Sequence, residues 1–459
     1  MRPSPRRTLA GIALGALVIP LAACSDSGDA GADGTVTITV SGRPAAANPA
    51  AVKLFDDKVA AFEKANPDIR VKTNEYEYDQ QSFQAKVAGG NLETVVRVPL
   101  TEMSSLIKRK QVSDITEDFK QVKHGAQFND EVLSVARGED GRTYGVPTEE
   151  YALGLVYNRK LFEKAGLDPD SPPTTWDEVR EAAKTIKDKT GVDGYAQMTK
   201  ENTGGWMLTA MTYSFGDDMQ EQSGGRWVNS FHKEGSGSHK ALDLLKEMRW
   251  TDKSMGRNQL RNGGDIERDF AAGKIGMTMA APNMINHVID QYKSDKNDVG
   301  IGPMPSDGSA KRTLVGGNVA VISPKASPEQ RAAAVKFIDF YYLASKYDPK
   351  RAGDQAAVQN KDGLTVGSPL VAFFKPEISD PVEEAVNKHA NVPLEHFAAY
   401  RESLGDYELV VEPPVEGQNV YKALDNAVQA VLTREDADPA KELNKANDLV
   451  KSQVERAQQ

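Results

Sequence analysis

The chain has 459 residues, of which 39% are hydrophobic and 27% charged, with a formal net charge of −10, six histidines and a single cysteine. An acidic balance argues against nucleic acid or an anionic membrane surface as partner, and one cysteine excludes an internal disulfide, a Cys-based metal site or a CxxC redox pair. A chain this long exceeds what one hydrophobic core serves, so two or more lobes are expected.

The N-terminus reads as an export signal. Arg2, Arg6 and Arg7 precede an apolar run from Leu9 to Leu21, broken by Gly11, Gly15 and Pro20. That run is shorter than the roughly 20 residues a spanning helix needs, and it fits a secretory signal peptide. Leu21-Ala22-Ala23-Cys24 resembles the lipobox of bacterial lipoproteins. The resemblance implies cleavage before Cys24 and lipidation of its thiol, and two acyl chains on one residue give stable anchoring. Arg6-Arg7 matches a twin-arginine signal poorly. Residues 1–23 are therefore expected to be a signal peptide. Residues 24–34 would be a lipid-anchored tether, being only Ser, Asp, Gly and Ala after Cys24. Losing three arginines takes the formal charge from −10 to −13. Nothing later in the chain reaches the length of a membrane span, so the body is expected on the outer face of the cell membrane, held by the lipid alone.

Thr35 to Val40 alternates as a strand should, and a Gly/Pro loop from Ser41 to Pro49 leads into a helix with Val52, Phe55, Val59 and Phe62 on one face. Asn66-Pro67 stops that helix, and Ile69 to Lys72 reads as the next strand. A helix around Ser82 to Ala88 ends at Gly89-Gly90, and Val95 to Val98 is a short apolar strand. Past Pro147, Leu153 to Tyr157 reads as a strand and Arg159 to Ala165 as a helix closed by Gly166. Thr175 and Glu178 form a capping box that opens a helix through Ile186. Ile275 to Ala280 and Val319 to Ile322 alternate again, and Glu329 to Leu343 is an amphipathic helix. Tyr421 to Gln453 reads as helical, divided at Asp438-Pro439, with Ala423, Ala427, Ala430 and Val431 inward. Strands alternating with helices predict an α/β fold in two lobes.

No H-E-x-x-H, G-x-S-x-G or Walker A sequence is present. The histidine pairs 232/239 and 389/396 are seven apart, without the i, i+4 spacing that shares a helical face. Glu149 and Glu150 are adjacent, and neighbours in sequence rarely converge on one bond. No catalytic residue, metal or cofactor is expected; a lipid-anchored glycoside hydrolase is the enzymatic alternative.

In order and spacing the segments resemble family 1 extracellular solute-binding proteins of ABC importers, the group of maltose-binding-type proteins. The resemblance covers essentially the whole chain after the leader. It is carried by Phe62 to Ile69, Ala88-Gly89-Gly90-Asn91, Leu106 to Ile115, Tyr144-Gly145-Val146-Pro147, Leu155 to Phe162, Pro173 to Glu178, Phe270 to Met277 and Val315-Gly316-Gly317-Asn318. It implies a periplasmic-binding-protein-like fold, in which the chain crosses a hinge several times and solute sits between the lobes. Residues 35–146 plus 316–372 would form the N-terminal lobe and 147–315 plus 373–459 the C-terminal lobe. The implied function is capture of a small polar solute, most simply a mono- or oligosaccharide, for delivery by a monomer to the permease subunits. A sensor in place of a permease would leave the sequence unchanged.

Sugar binding needs aromatic faces for the rings and carboxylates or amides for the hydroxyls. Candidates at strand ends are Ser41 and Arg43; Tyr76 and Tyr78; Pro99, Thr101 and Glu102. Glu149, Glu150 and Tyr151 sit where the resemblance puts the first crossing, and Gly317 and Asn318 at a later one. Asn202 and Trp206, in a Gly-rich stretch read as a loop, and Asn283 would line the second lobe. Tyr151 could equally pack at the hinge, Arg43 and Arg97 could be salt-bridge residues, and Gly316-Gly317 could serve close backbone approach. Trp176 and Trp250 read as packing residues. Glu93-Thr94 replaces the Pro-Asp of many sugar-binding relatives, and Ala281 to Ile285 lacks their stacking Trp.

Overall fold

The computed structural model describes residues 34–46 and 49–458, so the expected signal peptide, Cys24 and most of the tether lie outside the described residues. Among the described residues twelve strands run in chain order: β1 (Val36–Val40), β2 (Ile69–Thr73), β3 (Val95–Pro99), β4 (Gly145–Ala152), β5 (Gly154–Asn158), β6 (Asp193–Tyr195), β7 (Gln220–Ser223), β8 (Arg226–Asn229), β9 (Ile275–Ala280), β10 (Val299–Gly302), β11 (Arg312–Ile322) and β12 (Glu408–Val411).

The first sheet has the order β12-β11-β3-β1-β2, with β4 also paired to β11. β1 pairs parallel with β2, and β3 pairs antiparallel with the second half of β11. Val315 bonds both to Ala152 of β4 and to Val411 of β12, so those two strands flank β11 on opposite edges. The second sheet, β10-β5-β9-β6, is built on β5, whose five residues are all buried. β7 and β8 form a separate hairpin.

The apolar side chains collect into two cores. One takes residues from Ile38 to Ala152 and from Val315 to Phe374; the other takes Leu153 to Leu314 and Val392 to Val454. The chain passes from one core to the other between Ala152 and Leu153, between Leu314 and Val315, and again after Phe374. β12 lies alongside these crossings, with Leu409 packed on the first core and Val410 on the second. The molecule is thus a two-lobed α/β protein, as the alternation of elements led us to expect.

Local signals account for many of the elements. Ile38 and Val40 of β1 are buried, and Phe55, Val59 and Phe62 of the Pro49–Ala65 helix pack inward. The Thr175–Glu178 capping box forms, and its helix runs on to Thr190 before Gly191, whose φ of 74° ends it. Trp176 is buried at this helix start, with its indole N–H on Ser214 Oγ at 2.8 Å. Trp250 is only half-buried, capped by the Arg249 guanidinium at 4.3 Å. The alternation at Val319–Ile322 is the end of an eleven-residue strand, and the helix expected from Glu329 to Leu343 turns from α to π geometry at Asp339. Asp438 caps the last helix, Pro439–Arg456.

One local reading is corrected. The Gly-rich stretch around Asn202 and Trp206 is the start of a helix, Thr203–Ser214, not a loop. Two glycines cost helix propensity, and here tertiary contact overrides that cost. A Cβ on Gly205 would sit 2.2 Å from the Tyr421 carbonyl oxygen, so the helix packs there against the Gly417–Thr433 helix at a distance only glycine permits. Among the described residues no helix is long and apolar enough to cross a membrane, and no group of three His, Cys, Asp or Glu is placed to hold a metal.

Candidate functional site

Polar side chains from both lobes meet on two sides of the crossings. On the first side, the 3₁₀ turn Leu100–Glu102 at the end of β3 faces the segment from Pro414 to Asn419, where the Gly417–Thr433 helix begins. Thr101, Glu102, Ser105, Gln418, Asn419 and Gln458 line the crevice between them. Arg109 and Glu416 approach to 3.8 Å across it. Glu416 adopts a left-handed backbone (φ 55°), unusual for a residue with a side chain, and its carboxylate accepts from Asn419 at 2.5 Å. Gly417 beside it lets the Thr101 methyl approach, at 3.2 Å from where a Cβ would stand.

Behind this crevice lies Glu412, one residue past β12 and buried. The Tyr421 hydroxyl donates to it at 3.3 Å, and the Trp206 indole and the Thr101 main-chain N–H are also directed at it. Burial pushes its carboxyl up to about 8 in spite of those donors. Glu102 is raised too, first by burial and then by the charge of Glu416, while the Tyr78 hydroxyl beside it acts in the opposite direction.

Asn202 and Trp206 are held by the helix contact described above. The Asn202 N–H donates to Asp425 Oδ2 and the Gly205 N–H to Asp425 Oδ1, both at 2.8 Å, so a distant carboxylate satisfies the helix start. The Asn202 amide donates to Gln418 Oε1 at 3.1 Å. Trp206 is half-buried and meets the Tyr151 ring edge to face. The Tyr151 ring in turn covers Gly316, 2.7 Å from where a Cβ would stand.

On the second side, Glu149, Glu150, Tyr151, Asn283, Asn286 and Lys346 share a crevice with the segment from Ser368 to Phe373. Glu149 accepts from Arg97 at 2.5 Å and from the Asn318 amide at 2.8 Å. Gly317 (φ 154°) brings its backbone so close that a Cβ would lie 2.0 Å from the Glu149 carbonyl oxygen; this is close approach. Glu150 is buried with no hydrogen-bond partner for Oε2, and desolvation raises its carboxyl to about 8. The Lys346 amine stands 4.0 Å from the Phe373 ring centroid, and burial lowers it to about 8.

Of the residues singled out in the sequence, Thr101 and Glu102 line the first crevice and Glu149, Glu150, Tyr151 and Asn283 the second. Tyr78, Asn202 and Trp206 touch groups of the first, and Gly317 and Asn318 hold Glu149. Ser41 and Arg43 line neither. Ser41 is buried with its N–H on the Val95 carbonyl, and Arg43 forms a bidentate pair with Asp56 of the first helix at 2.9 and 2.8 Å. Tyr76 packs beneath the Lys86 amine, and Pro99 is spent in the sheet opposite Asn318. Sequence reasoning missed Glu412, Glu416, Gln418, Asn419 and Lys346. Pro413-Pro414 marks a break there, but it carries no sign of chemistry.

Residues 46–346 match the family described as bacterial extracellular solute-binding protein. The sn-glycerol-3-phosphate-binding periplasmic protein UgpB of Salmonella typhimurium is 26% identical over 307 residues, covering 63% of this chain and 67% of that protein. In fold the chain is similar to UgpB from Mycobacterium tuberculosis in complex with glycerophosphocholine. That likeness has a TM-score of 0.70 at 18% identity, over 93% of this chain and 100% of the other. Maltose-bound MalE3 of T. maritima is similar as well, with a TM-score of 0.68 at 22% identity, over 90% of this chain and 98% of the other. Two separately cored lobes with polar crevices at their crossings, and a family match over most of the chain, lead to one conclusion: the chain belongs to the bacterial extracellular solute-binding proteins, the family its segment order resembles.

Proposed function

We propose that this protein is the receptor of an ABC importer, exported, anchored through Cys24, and working as a monomer that captures a small polyhydroxylated solute, a mono- or oligosaccharide, and hands it to the permease. The observation that carries the reading is that polar groups from both cored halves converge at the crossings, Glu102 with Gln418 and Asn419 on one side, Glu150 with Asn283 on the other. We take the lobes to follow the cores, with the change-overs at 152/153 and 314/315. A cleft of this kind binds by closing, its two states separated by a few kcal/mol and biased by contacts to solute. Amide and carboxyl groups can both donate to and accept from hydroxyls, and maltose is what the similar MalE3 carries.

A second reading has its own support. Trp206, Tyr151 and Tyr421 lie close to Glu102 and Glu416 in the first region, a combination that suits a cationic head group. Glycerophosphocholine, bound by the similar M. tuberculosis protein, is a solute of that kind.

Thermal unfolding of the chain from residue 34 against sugars, polyols, glycerophosphocholine and amino acids tests both. Solute at 100 times its Kd adds about 2.7 kcal/mol, a visible shift in midpoint. A sugar that shifts the midpoint and survives hours of incubation supports the receptor and removes the hydrolase. A shift with glycerophosphocholine alone selects the second reading, and silence across the panel counts against both.

A further inference from the structure

Glu150 and Lys346 are an unusual pair. Glu150 is buried and Lys346 half-buried in the second crevice, and no ion pair joins the two within 4.0 Å. Among the described residues Glu150 Oε2 has no hydrogen-bond partner, although the residue is only 6% exposed. The Lys346 amine rests against the Phe373 ring, 4.0 Å from its centroid. Burying polar groups without partners is costly, and native interiors rarely tolerate it without a reason. The neighbouring charges do not supply one. Glu149 is already taken by Arg97 and Asn318, and Glu131, the other charge felt by Glu150, is of the same sign.

The two groups are held apart by the fold. Glu150 sits in β4 opposite Gly317 of β11, in the ladder that crosses between the lobes, while Lys346 is on the short helix Ala344–Tyr347 of the first lobe. Asn283, Asn286 and Pro282 from the second lobe close the opposite wall. A carboxyl oxygen without a partner and an amine set against an aromatic ring therefore face a crevice shared by both lobes.

We infer that Glu150 and Lys346 are specificity-determining residues that jointly bind vicinal hydroxyls of an uncharged solute, Glu150 accepting from one and Lys346 donating to the other. This rests on the receptor reading above and narrows it to a neutral sugar or polyol. Hydroxyls donate and accept at once, so an adjacent pair satisfies both residues across a gap that the ion pair does not close. Charge favours the same class. In this crevice the Glu149 carboxylate is already paired with Arg97, so it is not free to match a cationic solute.

The test uses Glu150→Gln and Lys346→Met, with glucose, maltose, sorbitol and glycerophosphocholine as probes in calorimetric titration. A neutral probe that binds the wild type is expected to lose about tenfold or more in affinity in each variant, the size of one hydrogen bond to a charged group. Without probe, Glu150→Gln is expected to melt at or near the wild-type temperature, because a neutral group of the same shape replaces a buried carboxyl whose Oε2 has no partner. Acetylation of Lys346, read by mass spectrometry, should be blocked by saturating neutral probe. Unchanged affinity in both variants, or lowered melting with unchanged affinity, overturns the inference and leaves the receptor reading standing. Binding of glycerophosphocholine alone overturns the neutral class, again leaving the receptor. If no probe binds the wild type, the sugar-receptor reading fails and the inference fails with it.

Discussion

The Tyr151 ring meets Trp206 edge to face, with centroids 6.4 Å apart and planes at 77°, and so ties the crossing strand β4 to the first turn of the Thr203–Ser214 helix. The contact joins the two crevices: Tyr151 lines the second, and the Trp206 indole is directed at Glu412 behind the first. Trp206→Ala should therefore weaken solute binding by about tenfold to a hundredfold and lower stability by about 2 kcal/mol. Titration calorimetry and urea unfolding measure the two effects.

Glu412 and Glu150 set a pH dependence. Each carboxyl rises from an ordinary 4.5 to about 8 in the folded protein. Between those values the native state keeps protons that the unfolded chain has released, so stability falls as pH rises from about 4.5 to about 8. Lys346, lowered from 10.5 to about 8, acts oppositely above that window, where the unfolded chain holds the extra proton. Glu412→Gln should flatten the decline between pH 5 and 8, raising stability at pH 8 relative to wild type by something on the order of a few kcal/mol. Denaturant midpoints at pH 5, 7 and 8 decide it.

Gly205→Ala should be severe for its size. The added methyl would meet the Tyr421 main chain at 2.2 Å, and backbone on both sides leaves little room to yield. A loss of about 2–3 kcal/mol or more is expected, with retained far-ultraviolet dichroism if the two helices merely separate. Gly263→Ala provides the control, since its nearest neighbour there is the Met198 sulfur at 3.6 Å.

Arg109 and Glu416 lie 3.8 Å apart across the first crevice, and the arginine is 39% exposed. An ion pair so placed contributes about 1 kcal/mol or less to folding. Arg109→Ala should leave the unligated melting temperature nearly unchanged while reducing solute affinity a few-fold, more at low salt than at high. Titrations at two ionic strengths check this.

What the sequence by itself determined was local or ordinal. Alternation placed β1 and β9, the Thr175–Glu178 box placed a helix start, and Asp438-Pro439 placed the break between the last two helices, because each signal acts within a few residues. The order of such segments also carried the family. Tertiary structure decided the rest. The helix at Thr203 forms because Asp425, 220 residues beyond Gly205, caps it and the Gly417–Thr433 helix packs on its glycines. β4 runs through Glu149-Glu150, residues with little preference for strands, because β11 supplies the ladder. Glu412 and Lys346 look like ordinary surface charges in the sequence. Their place in the proposed site depends on how the two cores bring distant backbones together, and burial, which no local pattern encodes, shifts their protonation.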